Sequence, residues 1–282
     1  MYLGPGLKSG VMGGRGRGGK KPFVSPAKTM WGADFELWGG DCPLEAGEWI
    51  DRIGGKIVTC VGSGDWFLNA DGFAGVTKAD VCYGLFSDEA AQMVDPYRFS
   101  SGAIRTFALI STSDDFAATT GSLFCRRINH TYGGSPYSTW LHTRPTGGTV
   151  PNRWSMRFFS YETSVTYLTN NSSCRPYPNV AGVPVLFAWA FNSGSGALWR
   201  LAAATNDWVL VNVGTGYLGI GAGVETGYSC RLFSRNDCTY DTSSLADTAA
   251  RSFRFKSFAG GAGLIDPLLI KAWGESEGCV FV

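Results

Sequence analysis

Histidine is scarce in this chain, with two in 282 residues, and the eight cysteines form no Cys-x-x-Cys pair. Together these absences argue against a structural zinc site, and no metal or cofactor is expected. Charged residues make up 17%, below the roughly one quarter usual for globular domains. No apolar run approaches the roughly 20 residues that a membrane-crossing helix needs, so no membrane partner is expected. Helical periodicity between the strand-like runs is missing, which excludes parallel βαβ units. No internal repeat occurs, which argues against a propeller or β-helix. No secretory signal pattern opens the sequence, so the sequons at Asn129, Asn170 and Asn171 carry little weight and the cysteines are expected as free, buried thiols.

What is plentiful is glycine, at 39 residues, and aromatic side chains, at 14%. Many turns joining aromatic-rich strands is the composition of a sandwich or barrel. The clearest stretch is Val183 to Val213, three apolar runs parted by Asn192–Gly196 and Thr205–Asp207. Each run has the length of one strand, and the breaks supply the side-chain-to-backbone bonds and φ freedom of tight turns. A three-strand meander at the centre of an antiparallel sheet is expected; Pro184 and the glycines oppose a buried helical hairpin.

Charge is divided unevenly. Residues 1–28 carry six basic and no acidic side chains, leaving the rest at a net −5. Their eight glycines and three prolines give them nothing to bury, so they form an extended arm ahead of a body over 29–282. Arg15, Arg17, Lys20 and Lys21 would neutralise phosphates, whereas Tyr2, Leu3 and Leu7 are apolar anchors that a purely electrostatic tail would not need. A docking arm on a partner subunit is the favoured reading, with all seven residues as candidate contacts.

In the body, the aromatics of Thr29–Gly55 suggest a collar of loops, and Lys56–Val61 a first strand. Asp71-Gly72 marks a turn, and Ser87-Asp88-Glu89 caps a short helix ending before Pro96. Further strands are expected over 104–110, 122–128, 137–143, 153–159, 164–169, 228–233 and 251–258. Leu264–Trp273 reads as a last strand with Pro267 at an edge or bulge.

From Glu48 onward the order of these signals resembles the concanavalin-A-like, laminin-G-like jelly rolls of lectin-type domains and of many bacteriophage structural proteins. The residues that carry the likeness are Trp49-Ile50-Asp51-Arg52-Ile53-Gly54-Gly55-Lys56, Asn69-Ala70-Asp71-Gly72-Phe73, the strand–turn–strand of Phe187–Trp199, and the aromatic strand Phe253–Phe258. The basic Gly-rich arm resembles the docking tails of phage capsid or tail proteins. The resemblance implies an all-β antiparallel jelly-roll sandwich, located in the virion. Other capsid or tail subunits would be its partners, with further copies of itself in a homo-oligomer.

Enzymatic function is not expected. Glycosidases of this fold carry a Glu-x-Asp-x-Glu strand; the nearest approach here is Glu275-Ser276-Glu277, which lacks a strand pattern. His130 and His142 lie near Ser135 and Ser138 without a Gly-x-Ser-x-Gly elbow. Asp65 with Asp71, and Asp114-Asp115, read as turn acids rather than calcium ligands. Tyr137, Trp140, His142 and Arg144 combine aromatic platforms with hydrogen-bonding groups, the mixture that sugars require, and form a candidate site for a host surface glycan.

Overall fold

A computed structural model describes residues 24–62, 66–76, 82–94, 102–112, 124–132, 135–145, 154–160, 166–169, 184–192, 195, 197–202, 206–212, 229–232 and 253–279. The elements run α1 (Pro26–Trp31), β1 (Phe35–Trp38), a 3-10 turn (Gly39–Asp41), β2 (Gly47–Ile50), β3 (Ile57–Val61), β4 (Trp66–Leu68), β5 (Ala74–Val76), β6 (Tyr83–Phe86), α2 (Asp88–Val94) and β7 (Ile104–Thr112). Then come β8 (Phe124–Tyr132), β9 (Ser135–Pro145), β10 (Trp154–Ser160), β11 (Thr166–Thr169), β12 (Pro184–Asn192), β13 (Leu198–Ala202), β14 (Asp207–Asn212), β15 (Ser229–Leu232), β16 (Phe253–Ala262) and α3 (Pro267–Ser276).

Among the described residues the strands form two antiparallel sheets of eight. The first runs β14-β13-β12-β7-β16-β5-β4, with β1 also paired to β16; the second runs β11-β10-β9-β8-β15-β6-β3-β2. The chain is an all-β sandwich of jelly-roll type. Phe107, Leu109, Phe187, Trp189, Phe191 and Phe255 from the first sheet meet Trp49, Val58, Phe86 and Leu232 from the second in one core. Trp49 stacks on Phe255 across the two sheets at 5.3 Å between ring centres, and its indole N–H donates to the Trp38 carbonyl.

Residues 184–212 form the expected meander, but it lies at one end of its sheet; β7 and β16 are the central strands. Asn192 Oδ1 accepts from Ser195 N at 3.0 Å in the first turn, and Asn206 takes a positive φ of 54° in the second. Gly72 takes φ 84° between β4 and β5, where Asn69 Oδ1 accepts from Asp71 N and Phe73 N. Ser87 Oγ caps α2 by accepting from Ala90 N.

Three expectations are corrected. Thr29–Gly55 is no loop collar: it supplies β1 and β2, and Trp31, Phe35 and Trp49 are buried. Lys56–Val61 therefore holds the third strand rather than the first. Leu264–Trp273 is not a strand, because Pro267 occupies the first turn of α3, where no N–H is missed, and Asp266 caps the helix through Leu268 N. Helix α1 straddles the 28/29 boundary expected from composition, and Ala27 within it is fully buried.

Trp189 faces the inter-sheet core, whereas Trp199 is half-buried on the other face of its sheet. Trp189→Ala is expected to cost on the order of 3–5 kcal/mol in chemical denaturation. Trp199→Ala should cost less than half as much; equal losses would contradict this placement.

Candidate functional site

The outer face of the first sheet is floored with small side chains. Ala188 pairs in register with Ala108, and Ala108 with Ala259, giving a row of three alanines across β12, β7 and β16. Helices need close approach to bury their apolar faces, and this floor permits it. Trp31 of α1 and Trp273 of α3 fill the space above, edge to face at 5.8 Å, in a second core with Ala27, Ile110 and Ile270. A Cβ added at Gly261 would meet the Trp31 ring at 3.0 Å, a tight contact that the ring would have to yield to. Neither indole N–H finds an acceptor among the described residues, so shape rather than polar pairing holds the two rings.

This clamp is where the arm joins the body. Ser25 caps α1 by accepting from Lys28 N at 3.0 Å, and Val24 just before it is exposed. The candidate arm contacts Tyr2, Leu3, Leu7, Arg15, Arg17, Lys20 and Lys21 all lie outside the described residues. Beneath the join sits Glu36, 2% exposed, whose Oε1 accepts from Ser257 Oγ at 2.7 Å. Burial pushes its carboxyl up, against the hydrogen bonds from Ser25 and Ser257 and the charge of Arg52; Glu277 adds to the rise. Asp51, also buried, accepts from Glu36 N, Ile53 N and Gly54 N. Thus the Trp49–Lys56 motif is a structural knot tying β1 to the β2–β3 hairpin.

The sugar-type residues lie on β9. Unbroken registers with β8 and β10 put Trp140, His142 and Arg144 at alternating positions, hence on one face of the strand; Tyr137 takes the other. Trp140 lies between Arg127 and Phe159, His142 between Cys125 and Arg157, and Arg144 opposite Ser155. Arg127, Arg157 and Phe159 are therefore additions to the candidate strip. They were not legible beforehand, since residues 13 to 19 positions away join only through strand register.

Other candidates are accounted for locally. Glu275 and Ser276 end α3, and Glu277 pairs with Lys256 at 2.9 Å. His130 pairs in register with Tyr137, and His142 with Cys125, so the two histidines are not neighbours across the strands. Asp71 lies in the β4–β5 turn; Asp65, Asp114 and Asp115 lie outside the described residues. Among the described residues no group of three or more His, Cys, Asp or Glu could hold a metal ion. Cys42, Cys60, Cys82, Cys230 and Cys279 are buried and in no disulfide. Hydrogen bonding with Cys42, together with burial, pushes the Cys60 thiol up, and burial pushes Cys279 up to about 12. No helix among the described residues is long and apolar enough to cross a membrane.

No family model matches the chain, and no curated protein does. Among solved structures it is similar to the CBM2 module of the evolved Dit of Lactobacillus casei BL23 phage J-1, at 11% identity and TM-score 0.35, over 82% of this chain and 96% of that one. The Emp46p carbohydrate recognition domain matches at 11% and 0.35, over 83% and 99%. Botulinum neurotoxin type C matches at 13% and 0.42, over 83% and 50%. No function passes to this chain at such scores; its two-sheet architecture rests on its own strand pairing.

Glu36 generates a test. Its folded carboxyl holds a proton more tightly than the unfolded one, whose ordinary value is 4.5. Its contribution is therefore fully present below that value and is lost as pH rises through the raised one. Glu36→Gln should gain stability relative to the wild type as pH rises above 4.5, with the gain levelling off once the raised value is passed, read from urea midpoints. Parallel pH profiles for the two proteins would remove Glu36 as the source.

Proposed function

We propose that this chain is a structural protein of a virion, a capsid-decorating or tail-associated component whose N-terminal arm tethers an exposed β-sandwich body. The observation that carries this reading is the join between arm and body. A glycine-rich, basic segment leads directly into a six-residue helix whose Ala27 and Trp31 are buried against α3 and the alanine row. Pulling on the arm loads a packed core rather than a fraying end, which suits a tether. The partners would be capsid or tail subunits. No catalytic role is proposed.

A second reading has its own observation. The face of β8–β9–β10 that carries Arg127, Trp140, His142, Arg144, Arg157 and Phe159 alternates rings with cations and hydrogen-bonding groups. A body so equipped would recognise a host surface glycan while remaining tethered. Selective binding on a glycan array, lost on Trp140→Ala, would support it; an array without signal would leave the tether alone.

The tether is tested by truncation. Deleting residues 1–22 spares the Ser25 cap and Ala27, so the melting temperature should hold within about 2 °C while incorporation into the particle is lost. Deleting 1–28 removes both and should destabilise the body by more than the ~1 kcal/mol of a helix cap. Normal incorporation of the shorter truncation would overturn the tether.

A further inference from the structure

We infer that the apolar ground between the first turn of α3 and β14 receives the N-terminal arm of a second copy of this chain; this rests on the tether reading above. Helix α3 buries Ile270 and Trp273 yet turns Leu268 and Leu269 outward, 59% and 44% exposed, and Leu264 just before it is 43% exposed. Trp208 of β14 donates its indole N–H to the Ile265 carbonyl at 2.7 Å, which ties the strand to this loop. Leu210, two residues along the same face of β14, is 51% exposed. Four leucines of one chain thus meet water around a single hydrogen bond, where an isolated surface leucine would need no explanation. The strand beside them, β14, ends its sheet among the described residues and offers backbone groups to an extended partner.

The arm matches this ground in chemistry and reach. Its apolar anchors Tyr2, Leu3 and Leu7 suit the leucines, and its glycines permit close backbone approach to the strand. Arg15, Arg17, Lys20 and Lys21 complement the exposed acids Asp207 and Asp266 beside the patch. The anchors stand 17 to 22 residues from Val24. Extended, that is a reach of roughly 55–75 Å, against about 45 Å across a body of this size. The arm's own helix touches α3 through Trp31 on Trp273 and Met30 at Ser276, on the same face as the patch. Folding back would need far less chain than this, so the spacing fits a neighbour. Head-to-tail contact of this kind closes into a ring or continues as a series, rather than stopping at a symmetric pair.

Two full-length variants test it. Leu268→Glu with Leu269→Glu disables the patch at exposed positions; Tyr2→Ser, Leu3→Ser and Leu7→Ser disable the arm. Sedimentation velocity should find the wild type self-associated and each variant at least tenfold weaker, with unchanged near-ultraviolet circular dichroism. Mixed, the two variants should recover one pairing, arm of the first on patch of the second, and stop at a dimer. A monomeric wild type, an arm variant that still self-associates, or a mixture that fails to pair would each overturn the proposal. Loss of incorporation on deleting residues 1–22, alongside a monomeric wild type, would leave the tether standing with a different partner.

Discussion

The contact on which the outer half of this molecule depends is two tryptophans over three alanines. Ala188, Ala108 and Ala259 lie opposite one another across three strands, and no larger side chain in that row would let α1 and α3 come as close. Trp31 and Trp273 then supply the volume that the floor omits. The other face of the same strands carries Phe107, Leu109, Phe187 and Trp189, large groups that fill the space between the sheets. Strand alternation thus sets the alanine row on one face of these strands and aromatic rings on the other, and each face acquires its own kind of partner. Because α1 and α3 come from opposite ends of the chain, this one contact also fixes where the arm leaves the body.

Polar groups inside the sandwich are held both by nearby backbone and by partners far along the chain: Asp51 by the backbone of β1 and its own turn, Glu36 by Ser257 and Arg105 by Asp34. Asp51 collects backbone N–H groups from its own turn and, 15 residues earlier, from Glu36 of β1, so its oxygens are met from two segments at once. Glu36, by contrast, carries burial that its hydrogen bonds do not offset. The two acids lie on adjacent segments and play different parts: Asp51 ties β1 to the β2–β3 turn, and burial raises the Glu36 carboxyl.

Much of the fold was legible because its signals are local. The meander over 184–212, the Asp71-Gly72 turn, the positive φ at Asn206 and the Ser87 cap each depend on a few neighbouring residues. What was misread depends on partners far along the chain. Phe35–Trp38 looks like loop until β16, more than 200 residues later, pairs with it. Asp266-Pro267 fits a strand edge and a helix start equally well; the buried ring of Trp31, from the other end of the chain, accompanies the helix. The same limit governs the candidate strip on β9. Trp140, His142 and Arg144 follow from alternation, but Arg127, Arg157 and Phe159 join them only through pairing with β8 and β10. Tyr137, at an odd offset from Trp140, takes the other set of alternating register positions.

The two proposed roles occupy different sheets, and that separation has a physical basis. In the first sheet the outer face carries the alanine row, which admits α1 and α3, and leucines lie exposed where their cover ends. In the second, β9 alternates, with Trp140, His142 and Arg144 at one set of register positions and Leu141, between Arg126 and Phe158, in the other. A tether loads the first sheet through α1, and a ligand on β9 would load the second; the inter-sheet core between them is shared. An arm engaged on a neighbour and a ligand at β9 would therefore act through different sheets. That separation follows from placing α1 and α3 on a single face, and it returns to the alanine row that admits them there.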